Sequence, residues 1–348
     1  MLRKEPPMSS ATIRPIPSSV AIEDVTGLKE RSLLQKLLSS QPFWVTIALI
    51  AMALAMTWYQ PDAFASADNF FNITRNFAFI GIMAIGMTAV ILTGGIDLSV
   101  GSIMGLAGVV CGLVLQAEGH WVLAILAGLL TGMLVGVVNG VLISYVGLPA
   151  FVVTLGMLSG ARSLAIVLSE NKMIYEFGPW GDTFNAIGGG SIFGIANPVW
   201  VLLVLAIMFS IILNFTGWGN YLYAIGSNEN AARLTGVPVK RIKLQAYIVS
   251  GLTAALSAVL IVGWQGSAIN ALGQGYELRV IASTVIGGAD LMGGQGGAYG
   301  AVIGAALIEV IRNSLLMAGV DSNWQGAFVG LFIVLAVLLQ RIRGKGSA

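Results

Sequence analysis

Charge is what this sequence has least of. Asp, Glu, Lys and Arg make up 10% of its 348 residues, against roughly 25% in ordinary soluble domains. So few charges cannot cover the surface of a chain this long in water, which excludes a soluble globular protein and makes lipid the main solvent. The formal net charge is only +2 and no basic stripe runs along the chain, so nucleic acid is excluded as a partner. The single cysteine, Cys111, sits in the apolar run Val109-Val110-Cys111-Gly112. It allows no intrachain disulfide and reads as a small packing residue. The lone histidine, His120, has no Cys, Asp or Glu cluster around it in sequence, and no nucleophilic triad can be assembled. Gly293-Gly294-Gln295-Gly296-Gly297 has the look of a phosphate loop, but the GxxxxGK[ST] spacing occurs nowhere. We therefore expect no metal, no cofactor and no catalysis from this chain. Proline is also missing where it would matter. All ten fall in tails, loops or span boundaries (6, 7, 15, 17, 42, 61, 149, 179, 198 and 238), so any break inside a span must come from glycine.

What the chain does have is apolar length. Apolar residues make up 56% of it, and the mean hydropathy is +0.86. A crossing needs about 20 apolar residues, and that rule predicts ten spans near 43–59, 74–92, 99–117, 121–145, 150–169, 199–216, 245–263, 277–288, 293–318 and 325–340. The eighth is short. The fold class expected is an all-α polytopic membrane bundle of about ten spans, with residues 43–340 as the transmembrane domain. Most of the cations gather in 1–42, in the loop around Arg233 and Lys240–Lys243, and in the tail 341–348. The positive-inside rule places all three in the cytoplasm, and an even span count agrees. The loops 60–73 and 170–198, with Asp62, Asp68, Glu170, Glu176 and Asp182, then face outward. No cleavable leader is visible in the polar first 42 residues. Within them, 22–40 reads either as an amphipathic helix on the inner membrane surface or as a plain tail.

Glycine is abundant, at 45 residues. Gly128, Gly132, Gly136 and Gly140 recur every fourth position, as do Gly296, Gly300 and Gly304, and such strips let helix backbones approach closely. A second pattern is an internal echo. Gly94-Gly95-Ile96-Asp97-Leu98 reappears as Gly287-Gly288-Ala289-Asp290-Leu291, each copy following one apolar helix and leading to another. Asn139 and Asn313 form a weaker echo. Duplicated, broken helices are typical of transporters, although sequence leaves open whether the repeats run parallel or inverted. Asp97 and Asp290 have two readings: caps on the following helices, or groups acting in passage or gating. Glu309 and Arg312, three apart, are expected to pair on one helix face. Arg162 and Arg279 are expected to reach toward the interface from span ends, and His120 to be solvated.

The polar stretch 218–243 predicts a short, bounded helix. Ser227 or Asn228 can cap it, Glu229 suits its first turn, and Gly236 followed by Pro238 stops it. Ala231 and Ala232 give it a small-residue face beside Arg233. It reads as a partner-docking helix or as a folded turn.

Several motifs in order carry a family resemblance: Gly86–Ser102, Gly147-Leu148-Pro149-Ala150-Phe151-Val152-Val153-Thr154, Ala224–Gly236 and Val285–Leu291. Over roughly 43–340 the chain resembles the ribose/xylose-type permease subunits of bacterial ABC sugar importers. That resemblance implies a type II importer-like bundle in the bacterial inner membrane with both termini cytoplasmic. It implies a second permease copy, two cytoplasmic ATPase domains and a periplasmic sugar-binding protein. It makes the helix with Ser227, Asn228, Glu229, Ala231, Ala232, Arg233 and Gly236 the ATPase-coupling element. A pathway lined by Gly94, Gly95, Asp97, Phe151, Thr154, Gly287, Gly288 and Asp290 follows as an expectation. Two rivals stand beside it: an ABC permease for another cargo, such as a branched-chain amino acid or a signalling furanose, and an ion-coupled transporter using Asp97, Asp290 or Glu309.

Overall fold

The computed structural model describes residues 40–321 together with Leu38 and scattered positions between 324 and 331. The chain divides into Met1–Ser39 and Ser40–Ala348. The surface-helix reading of 22–40, nearly all of the tenth span and the tail 341–348 lie outside the described residues.

The elements are α1 (Gln41–Tyr59), α2 (Pro61–Phe64), α3 (Ala67–Leu92), α4 (Val100–Gln116), α5 (Trp121–Ser144), α6 (Ala150–Leu168), α7 (Gly181–Gly189), β1 (Ser191–Ile192), β2 (Ile195–Ala196), α8 (Asn197–Phe215), α9 (Gly217–Ser227), α10 (Glu229–Leu234), α11 (Val239–Gln265), α12 (Tyr276–Ile286) and α13 (Ala298–Met317). The only sheet among the described residues is the two-stranded hairpin β1–β2. Seven helices are long and apolar enough to cross a membrane: α1, α3, α5, α6, α8, α11 and α13. The apolar α4, with 17 residues, is shorter, and α12, at the expected short eighth span, has 11. The protein is thus a polytopic helical membrane bundle.

Burial sorts the helices. α3 and α11 form the centre, 83% and 78% buried over their most apolar stretches, whereas α1 is 11% buried there. The outer helices α5, α6 and α8 present Leu, Val and Ile to the outside, as lipid requires.

Glycine explains how tightly the centre closes. A Cβ on Gly132 of α5 would run into the Gly251 carbonyl of α11, and one on Gly251 into the Gly132 carbonyl. Gly136 lies against Tyr247 and Gly140 against Leu244 in the same seam. The strip on α13 works the same way, with Gly300 facing the Gly287 carbonyl and Gly304 the Ser283 carbonyl of α12. Dispersion between close backbones drives this packing, because lipid offers no hydrophobic incentive.

Candidate functional site

The two Gly-Gly-x-Asp-Leu breaks meet in space. α3 ends in a left-handed Gly94 (φ 73°), and α12 in a left-handed Gly288 (φ 101°). In each, the amide after the left-handed glycine donates five residues back: Gly95 to Val90 O at 3.1 Å and Ala289 to Thr284 O at 3.0 Å. This is the Schellman helix ending, which needs a residue without Cβ strain at the turn. The echo is therefore offset by one position. Gly94 matches Gly288 rather than Gly287, and the second copy is one residue shorter before its aspartate. α3 and α12 run parallel, with Thr284 Oγ1 donating to Ala84 O at 3.5 Å. Their ends are stitched by Gly294 N–H donating to Leu92 O at 3.0 Å.

The aspartates close turns rather than cap helices, which corrects the capping expectation. Asp97 Oδ1 accepts from the Ser99 amide at 2.9 Å and the Ser99 hydroxyl at 2.5 Å, and Oδ2 accepts from Ser250 at 2.8 Å. Ser99, not Asp97, is the residue preceding α4. Asn139 Nδ2 on α5 donates to Ser99 Oγ at 2.9 Å, so a fully buried carboxylate is held by donors from the break and from α11. Asp290 makes the same local turn, accepting from the Met292 amide at 2.9 Å, but the next helix begins only at Ala298. The Asn139–Asn313 echo does not survive in space. Asn313 instead exchanges amide bonds with Asn69 of α3, at 2.8 and 3.3 Å.

The end of α9 sits directly on these breaks, and α10 follows it. A Cβ on Gly226, at the end of α9, would strike the Leu92 carbonyl and the Gly294 amide. Tyr223 Oη donates to Gly296 O at 2.9 Å, and Ser227 Oγ caps back onto Tyr223 O at 2.8 Å. Asn228 is the residue that caps α10, its Oδ1 accepting from Ala231 N at 3.0 Å. The helix stops at Gly236, φ 87°, as its sequence requires. Glu229 bonds Arg233 at 2.9 Å within α10 and Lys243 at 2.5 Å across to α11. The Lys243 bond, with Arg233 beside it, holds the Glu229 carboxyl below its ordinary value of 4.5. Ala232 is buried and Ala231 faces out. Leu234, beside Arg233, is 90% exposed.

A cavity of about 550 Å³ opens beside this junction, lined by Thr93–Gly95, the 143–150 turn, Glu229, Arg233, Lys240 and Lys243. Thr154 is buried here and donates to Ala150 O at 2.9 Å and to Ile96 O at 3.4 Å. Phe151, one turn earlier on the same helix, is 59% exposed. Also missed in sequence was Gln41, whose Nε2 donates to the last carbonyls of α12, Val285 and Ile286, at 3.2 and 3.0 Å. Glu309 and Arg312 pair as expected, at 2.7 Å. Arg162 does not reach for the interface. Its guanidinium donates to the carbonyls of Asn270, Leu272 (2.7 Å) and Gly101 (3.1 Å). His120 Nδ1 accepts from Val122 N at 3.2 Å, at the start of α5. Among the described residues no group of three or more His, Cys, Asp or Glu is placed to hold a metal.

A glycine-broken helical bundle with a bounded helix on its breaks is the architecture of a membrane permease, and the comparisons with known proteins agree. The family described as branched-chain amino acid transport system / permease component matches residues 69–337. The chain belongs to that family of ABC transporter permeases and is a multi-pass protein of the inner membrane. It is 41% identical to a probable ABC transporter permease of Sinorhizobium fredii, over 84% of this chain and 87% of the relative. It is 37% identical to the ribose import permease of Escherichia coli, over 84% and 91%. It is 36% identical to the fructose import permease of Rhizobium meliloti, over 92% and 91%.

Proposed function

We propose that this chain is the membrane-spanning subunit of an ATP-driven importer that translocates a monosaccharide or related polyol delivered by a periplasmic binding protein. The observation that carries the cargo class is similarity to ribose and fructose import permeases across nine-tenths of their length. On this reading α10 docks in a separate ATPase subunit, two permease copies face one another across the pathway, and both termini lie in the cytoplasm. Support for the docking role comes from construction. Six residues capped at both ends and tied to α11 through Glu229–Lys243 make a stiff lever. Exposed Leu234 is its apolar tip.

The pathway residues proposed are those at the breaks, Gly94, Gly95, Asp97, Gly287, Gly288 and Asp290, with Thr154 and Phe151 on α6. ATP-driven movement of α10 bears on these breaks through Gly226, a rigid-body coupling of the kind that packed interfaces transmit. The ion-coupled rival gives α10 no task, and of its candidate groups Asp97 already accepts from three internal donors and Glu309 is paired with Arg312. A branched-chain amino acid cargo is favoured only by the family's description.

The test is reconstitution of the permease with its ATPase and binding protein in proteoliposomes, followed by uptake of labelled ribose, fructose and leucine. ATP-dependent monosaccharide uptake is expected. Uptake that follows an ion gradient with no ATPase present would refute the reading.

A further inference from the structure

Between α11 and α12 the chain does not turn at the membrane surface but dives back into the bundle. Its depth can be read along α4. Ala268 packs at Gly112, the carbonyls of Asn270 and Leu272 lie at Gly105, and Gly273 lies at Gly101. Eleven helical residues separate the first and last of these marks, about 16 Å of rise. α12 then starts inside the bundle, and its 11 residues supply about 16 Å, half of a hydrocarbon core of about 30 Å. The crossing is thus half non-helical chain, wound in successive turns (Leu272 N–H to Ile269 O, Gln274 N–H to Ala271 O), and half helix.

This dive is pinned on one side only. Ala268 and Ile174 exchange backbone bonds at 2.7 and 3.0 Å. Asn270 Nδ2 donates to Ser169 Oγ and Asn171 Oδ1, both at 3.1 Å. Arg162 gathers the Asn270, Leu272 and Gly101 carbonyls, and Glu277 closes on Gly101 as well. The other side is open. Ala271 and Gln274 are exposed, and the Gln274 carboxamide makes no hydrogen bond among the described residues. On α6, Ser159 and Ser163, on either side of Arg162 in sequence, are exposed too.

Lipid cannot border that side. Non-helical backbone at membrane depth survives only when covered by protein or wetted by a water-filled cavity, and a bare carboxamide in hydrocarbon costs several kcal/mol. A dry protein cover would need its own partner for Gln274. Water, and a cargo made of hydroxyl groups, needs none added. We propose that the re-entrant segment 270–275 lines the aqueous path of the transporter, with Gln274 offering its amide donors and carbonyl acceptor to the hydroxyls of a neutral polyol in transit. This inference rests on the import reading above.

Cys111 is the chain's only cysteine and is buried, so a Cys111→Ala background permits single-thiol probing in the whole transporter. Gln274→Cys in proteoliposomes with ATPase and binding protein is expected to react with a membrane-impermeant, charged thiosulfonate. The rate should exceed that of Leu134→Cys, on the lipid-facing side of α5, by roughly tenfold or more, since only water supports thiolate. The adduct should block uptake, and sugar-loaded binding protein with ATP should slow its formation. Ala271→Cys serves where Gln274→Cys does not assemble. Labelling as slow as at Leu134→Cys, with and without ATP, overturns the proposal in favour of a protein cover, as does an adduct that leaves uptake unchanged. Failure of the import reading registers separately, as absent ATP-dependent uptake in the Cys111→Ala background itself.

Discussion

Replacing Leu234 with alanine removes apolar contact from the tip of α10 and touches nothing else in the chain. The side chain is 90% exposed, so nearly all of its apolar area is free to be buried by an ATPase subunit. Truncation to alanine deletes three carbons, each worth about 0.8 kcal/mol when fully buried, or about 2 kcal/mol in all. At about 1.4 kcal/mol per tenfold change, the dissociation constant for the ATPase subunit should rise by about 30-fold. The folded permease loses nothing by the change, since the residue makes no core contact. The assay pairs a titration of solubilised permease with its purified ATPase subunit against a thermal unfolding curve of the permease alone. The expected result is weaker binding with an unshifted curve, and uptake restored at high ATPase concentration. An affinity within about twofold of the parent would refute the docking role of α10, because no other contact on this tip can compensate for a lost anchor of that size.

Other outcomes follow from the same geometry. Gly132→Ala and Gly251→Ala each put a methyl group onto the opposing carbonyl, an overpacking that costs about 1–3 kcal/mol and should lower the melting temperature of the solubilised protein. Gly156→Ala, with open space around it, should not. Asp97→Ala strands the Ser99 and Ser250 donors in a fully buried site, at about 1–3 kcal/mol for each unpaired group. Asp97→Asn keeps an acceptor at Oδ1 and should fold and retain ATP-dependent uptake, and a loss of uptake in a well-folded Asn variant would revive the proton-binding rival. The Glu229 carboxyl titrates below its ordinary 4.5, so its contribution is complete above that pH and is lost as the pH falls through the lower folded value. Hydrogen exchange in 227–236 should be flat from pH 8 to 5 once corrected for intrinsic rates, with extra opening only in more acid solution. Glu229→Gln should show that opening at every pH.

Much of this was legible because lipid constrains a sequence so severely. The spans predicted at 43–59, 121–145, 150–169 and 199–216 fall within a few residues of α1, α5, α6 and α8, since apolar length is nearly the whole requirement there. The bounded helix at 227–236 was legible from Asn228, Glu229, Gly236 and Pro238, whose local chemistry leaves few alternatives. What could not be read was anything set by two distant segments. Nothing local says that Asn139 serves Ser99 while Asn313 serves Asn69, or that Gln41 completes the end of α12. Arg162 was misjudged for the same reason. Its sequence position allowed snorkelling, and only the carbonyls of a segment more than a hundred residues away explain its inward turn. The echo hides a smaller difference, because matching Gly-Gly-x-Asp-Leu strings need not superpose residue for residue. The helix ends set the match, and α12 ends one residue later in its string than α3 does.

That offset bears on how the two breaks can work together. If both copies had the same length, the two turns would be equivalent and α9 would meet a symmetric seat. As built, the shorter second copy leaves Gly293 and Gly294 lying across the end of α3. Gly294 bonds to Leu92, and Gly226 of α9 is wedged between the two. Any shift of α10 passes through Ser227 and Gly226 to backbone atoms of both breaks at once, with no flexible side chain between to absorb it. Tyr223 adds a second tether to Gly296. A side chain at Gly226 would force these three segments apart, so Gly226→Ala should uncouple ATP hydrolysis from uptake while the ATPase subunit still binds. Full uptake by a well-folded Gly226→Ala permease would mean that the breaks and α10 move independently.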